Sequence, residues 1–100
     1  MKEKPVKEQE CKETNSQNVK ETSLHVYERK VTVILKSKKK EDLKSILQEL
    51  LSISCDNDAD FQEYSLKNPA VGTNTTIVLI TGYEVEKLQD IYLKVVNLKF

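Results

Sequence analysis

Asp56, Asp58 and Asp60 stand at alternate positions, the opening spacing of a calcium-binding loop in which oxygen ligands at every second residue wrap one cation. The rest of that pattern is missing. Position six would be Phe61, where the sharp turn needs Gly, and position twelve would be Lys67, where a bidentate Glu closes the coordination shell. A solvated turn is expected here, and no metal site is assigned. His25 is the only histidine, so a Cys/His zinc site or a histidine-activated nucleophile has too few members. Cys11 lies in a polar stretch and Cys55 at the end of a helical pattern, which does not make a disulfide framework. No apolar leader opens the chain and no apolar run reaches the roughly 20 residues of a membrane span. Both thiols are therefore expected to be reduced, in an intracellular protein, cytoplasmic or nuclear, without a membrane partner. No acid is paired with a base, so the chain is read as non-enzymatic, with no cofactor and no small-molecule substrate.

The strongest cluster is basic: Lys36, Ser37, Lys38, Lys39 and Lys40 run into a helical pattern. Free N–H groups at a helix start attract anions, and lysines beside them add charge for a phosphate, including one on RNA. Arg29, Lys36, Lys38, Lys39 and Lys40 are thus the candidate nucleic-acid or phosphate-binding residues. Against them stand Glu41 and Asp42, the absence of a glycine-rich cradle and of a stacked aromatic pair, and a solvated helix start as the plainer reading. Lys and Arg number 16 and Asp and Glu 16, so no overall positive field draws the chain to nucleic acid. The charges are nonetheless blocked, with a basic stretch over residues 29–44 followed by an acidic one over 49–63.

These residues must be held by elements, and the hydrophobic period changes along the chain to define them. Alternation of Val31, Val33 and Leu35 predicts a first strand over residues 26–35. Leu43, Ile46, Leu47 and Leu50 follow the spacing of one buried helical stripe, widened by Leu51 and Ile53, with Ser37 as the expected N-cap. Phe61, Tyr64 and Leu66 mark a second strand near 61–67. Asn68, Pro69, Gly72 and Asn74 mark a turn, and residues 75–80 form a third strand that is apolar on both faces. Thr81 and Glu84 have the spacing of a capping box, with Ile80 and Val85 as a hydrophobic staple, ahead of a second helix that presents Val85, Leu88, Ile91, Tyr92 and Val95. Val96, Leu98 and Phe100 leave two endings open, a short fourth strand or a frayed helix end.

The order is βαββα, a small two-layer α+β domain of the ferredoxin-like plait type, completed if the C-terminal strand forms. Residues 1–23 carry almost no apolar side chains and are expected to be a disordered polar tail, leaving residues 24–100 as the single domain. So small a domain buries only about 60% of its unfolded surface, so association with a partner would help it. In a plait with both helices on one side, Thr32 and Ile34, together with Val78 and Ile80, are the residues assigned to the open sheet face as a protein interface. The expected function is a protein-interaction module, a homodimer or subunit of a larger assembly, with RNA binding through the basic helix start as the alternative.

Several small α+β families look similar at this level. Arg29 to Leu35 with the helix to Leu51, and Ile80, Thr81 and Gly82 before the second helix, resemble the SUI-type domain of translation initiation factors. That family has a Gly where Lys36 stands, a Cys-Gly-rich turn where residues 54–58 stand, and a Gly-Asp pair where Gly82 and Tyr83 stand. Glu86, Leu88, Ile91 and Tyr92 resemble the second helix of ACT-like regulatory plaits. The βαββα order is also similar to the small dimerising subunit of the KEOPS tRNA-modification complex, without the Arg expected after Leu88. No functional residue is carried over from any of them.

Overall fold

The structure, a computed structural model, describes residues 18–68 and 72–100. Among the described residues six elements follow one another: β1 (Val19–His25), β2 (Lys30–Ser37), α1 (Lys40–Asp56), β3 (Asp60–Asn68), β4 (Thr73–Thr81) and α2 (Val85–Asn97). The strands form one antiparallel sheet in the order β1-β2-β4-β3, with both helices packed on the same side.

The core follows from the period of two in the strands. Val31, Val33 and Leu35 of β2 and Val78 and Ile80 of β4 point at the helices and are wholly buried. They meet Leu43, Ile46 and Leu50 of α1 and Leu88, Ile91 and Val95 of α2. These helical residues are spaced by three or four, so each helix presents one apolar stripe to the sheet. Gly82 lies where α2 begins, and a Cβ there would meet the Leu88 side chain at 3.4 Å.

The element order differs from the expected plait. The strand beside β2 comes from the N-terminal side, and the elements run ββαββα. Residues 19–23, assigned to the polar tail, belong to β1, and the strand expected over 26–35 starts only at Lys30, because residues 26–29 form the turn between β1 and β2. In that turn the Arg29 N–H donates to the Val26 carbonyl at 3.2 Å, with Arg29 at φ 54°, a left-handed conformation. β1 is too polar to announce itself. It is held by its ladder to β2 and by Lys20, Thr22 and Leu24, which share the helix-covered side with Leu35, Val33 and Val31. Residues 1–17 of the expected tail, with Cys11, and residues 69–71 of the expected turn lie outside the described residues.

The helix boundaries also shift. Lys39, not Ser37, is the N-cap of α1, without a side-chain cap bond. Ser37 is the buried last residue of β2, and its hydroxyl accepts from the Lys39 N–H at 3.1 Å and donates to Asn18 Oδ1 at 2.8 Å. Nor does the Thr81/Glu84 capping box form. Thr81 stays in β4, opposite Lys30 and Asp60, and Glu84 is the N-cap of α2, again without a side-chain cap bond. The C-terminal residues form no strand: α2 runs to Asn97, and the Leu98 N–H closes it by donating to the Val95 carbonyl. None of the described helices is long and apolar enough to cross a membrane.

Candidate functional site: the open sheet face and its basic end

The three aspartates terminate a helix. Asn57 is the C-cap of α1, Asp58 takes the left-handed conformation at φ 54°, the Asp58 N–H donates to the Cys55 carbonyl, and the Ala59 N–H donates to the Ser54 carbonyl at 2.9 Å. This pair of bonds is the Schellman arrangement, with Asp where Gly is usual. Asp56 ends α1, Asp60 opens β3, and the Asp58 carboxylate receives Lys87 at 3.3 Å. Among the described residues no group of three His, Cys, Asp or Glu side chains could hold a metal.

The basic candidates divide into two places. Arg29 lies at the β1–β2 turn, donating from Nη1 to the Tyr83 carbonyl at 3.0 Å, while Lys36 is at the far end of β2. The seven residue steps from one to the other put these positions roughly 23 Å apart along the strand. Lys36, Lys38, Lys39 and Lys40 stay together and exposed around the loop into α1. The loop is pinned from β4 by Asn74, which donates from Nδ2 to the Ser37 carbonyl at 3.3 Å and to the Lys38 carbonyl at 3.5 Å. Nearby, Asn18 donates to the Asp42 carboxylate at 3.3 Å, and Glu41 and Asp42 lie in the first turn of α1, where their charge suits the helix dipole. Lys36, Lys38 and Lys39 form no ion pair with the described residues.

The sheet's second side is built from cross-strand rows, because directly opposed residues share a face. One row is Glu21, Ile34, Ile77 and Tyr64; the next is Ser23, Thr32, Leu79 and Gln62. Towards the basic end lies Val19, Lys36, Thr75 and Leu66, and at the other end His25, Lys30, Thr81 and Asp60. Thr32 and Ile34 are therefore on the open face, as assigned. Val78 and Ile80 are not: they are completely buried beneath the helices, and Ile77 and Leu79 take their place opposite Ile34 and Thr32. The alternation within β4 offered two equally apolar sets, Ile77 with Leu79 and Val78 with Ile80, and only the register with β2 selects between them. Ile34, Ile77 and Leu79 are half-buried by their neighbours, while Tyr64 and Leu66 are 51% and 55% exposed. Among the described residues, no element lies over this face.

Two features of the helix side escaped the sequence. Lys20 reaches from β1 to the C-terminal end of α2 and donates to the carbonyls of Val95, Val96 and Leu98. Burial pushes its ammonium below the ordinary lysine value. At the opposite edge, a cavity of about 290 Å³ opens between α1 and β3, lined by Leu43, Leu47, Leu66, Lys44 and Glu63 among others. The helical period alone gave Leu47 to the core, but the sheet ends beside it and leaves it half-buried.

Compared with protein-family models, curated proteins and solved structures, the chain matches none.

Proposed function

We propose that this chain is a non-enzymatic protein-interaction module that associates through its open sheet face, with a second copy of itself as the occupant. The observation that carries this reading is the distribution of polarity on that face: Ile34, Ile77 and Leu79 at the centre, Thr32 and Thr75 beside them, Tyr64 and Leu66 carrying the apolar surface out to the β3 edge, and charge at Glu21, Lys30, Lys36 and Asp60 around them. An apolar centre with a polar rim is the usual anatomy of an interface. The rim charges balance, Lys30 and Lys36 against Glu21 and Asp60, so two copies face each other without net like-charge repulsion. Four strands about 4.8 Å apart and seven residues long span roughly 450 Å². An area at the low end of specific interfaces implies a weak, concentration-dependent dimer.

Sedimentation velocity across a concentration range tests this reading. A mass that rises with concentration and returns to the monomer value in Ile77→Asp and Leu79→Asp supports it; a monomer at every concentration overturns it. RNA binding through Lys36, Lys38, Lys39 and Lys40 is the alternative. It has its own signature in the same experiment, a shift seen only with bulk RNA that weakens as salt is raised and as those lysines are neutralised.

A further inference from the structure

The two sheet edges are not equivalent. β1 carries an inward-directed lysine, and its flank is closed by the tie from Lys20 to the end of α2. An inward charge is one of the devices that protect an edge strand from further pairing. β3 also carries a helix-side charge, Glu63, but it is exposed at the cavity and no tie closes the flank of this strand. Its ladder with β4 runs from Asp60 to Asn68 without a bulge, its one lysine, Lys67, stands next to its last residue, and its other side is unpaired among the described residues. Alongside it lies the cavity of about 290 Å³, walled by Leu43 and Leu47 of α1. That volume is at the small end for ligand sites and suits side chains better than a whole cofactor. An edge strand beside an apolar groove is the arrangement that captures an extended peptide: main-chain bonds to the edge hold it, and alternate side chains enter the groove.

We propose that β3 and the α1 groove bind an extended polypeptide segment of alternating apolar side chains with an acidic end, which adds to the sheet as a fifth strand. The acidic end is set by charge. The groove closes at Asn74 against the loop that carries Lys38 and Lys39, and Lys44 lines its helix side; all three are exposed and form no ion pair with the described residues. Glu41 is the one exposed acid in the first turn there. Glu63, part-way along the groove, disfavours a carboxylate at the segment's middle and admits a hydroxyl.

A second copy does not suit this groove. Paired antiparallel about Tyr64, the helix-side positions of a second β3 would bring Glu63 opposite Ser65, setting a carboxylate against the apolar wall. The chain's own first 17 residues do not suit it either, because Met1, Pro5, Val6 and Cys11 are their only apolar members and they never alternate.

The test uses the full chain and two synthetic peptides of alternating Val and Thr, one preceded by two aspartates and the other by two lysines. Fluorescence anisotropy at low salt is expected to show the acidic peptide bound roughly tenfold more tightly. Amide chemical shifts should move along residues 60–66. Leu47→Glu should abolish binding, Ile77→Asp on the open face should leave it unchanged, and the surface pair Lys38→Glu with Lys44→Glu should reverse the preference. No binding, equal binding of both peptides, or binding lost in Ile77→Asp but kept in Leu47→Glu overturns the proposal. So does a dimer that Leu47→Glu dissociates, which would make a second copy the occupant.

Discussion

At the scale of single residues, the buried side-chain polar atoms of the described residues all have hydrogen-bond partners except one hydroxyl. Thr22 Oγ1, on the helix side of β1 opposite Val33, is buried without a hydrogen-bond partner. An unmet buried polar group costs about 1–3 kcal/mol, and an apolar group of the same shape removes that cost. Thr22→Val is therefore expected to stabilise the domain by about 1 kcal/mol, read as a higher midpoint in urea with an unchanged slope. A lower midpoint would mean that the hydroxyl has a partner. Ser54 shows the satisfied case: fully buried in α1, it donates to the Leu50 carbonyl at 2.9 Å, while its own carbonyl accepts from Asn57 and Ala59. Both hydroxyls were visible in the sequence, but no sequence pattern distinguishes them, because their partners depend on the backbone packed around each one.

At the scale of elements, the boundaries separate what local chemistry decides from what packing decides. The stripes of α1 and α2 were legible because a period near 3.6 is local, as were β3 and β4, within a residue or two. The caps were not. Ser37 and Thr81 have N-cap chemistry, yet each is held in a strand by its cross-strand partners, Asn74 for one and Lys30 with Asp60 for the other. The helix stop at Asp58 carries its own test. A left-handed conformation costs an ordinary side chain about 1–2 kcal/mol, somewhat less for Asp. Asp58→Gly removes that cost and loses only the exposed pair with Lys87, worth at most about 1 kcal/mol. The expected stability order by thermal unfolding is Gly above Asp above Ala at position 58, with about 0.5–1 kcal/mol gained by Gly. Ala above Asp would remove the Schellman account of the turn.

At the scale of the whole molecule, the two ends of the described chain are tied by Lys20, which joins β1 to α2 across 75 residues of sequence. Its ammonium donates to the carbonyls of Val96 and Leu98 and to that of Val95, which also accepts from the Leu98 N–H, at a helix end where positive charge is favoured by the dipole. Lys20→Met is expected to cost about 1–2 kcal/mol at neutral pH, after allowance for partial exposure. The sign of its pH dependence follows from the lowered titration of Lys20. Between that value and the ordinary lysine value, the unfolded chain binds more protons than the folded one, so stability rises with pH. The advantage of wild type over Lys20→Met, measured in urea at successive alkaline pH values, should therefore widen through that window. A narrowing advantage would mean that the carbonyls hold the proton more strongly than burial expels it. By itself, the sequence determined the two described helices, three of the four described strands and most of the core, because hydrophobic periodicity is written into neighbouring residues. Only the tertiary structure added β1, whose polar residues become a strand through pairing with β2. It alone chose Ile77 and Leu79 over Val78 and Ile80 for the open face, since a period of two defines two sides and the covering helices decide which one is inside.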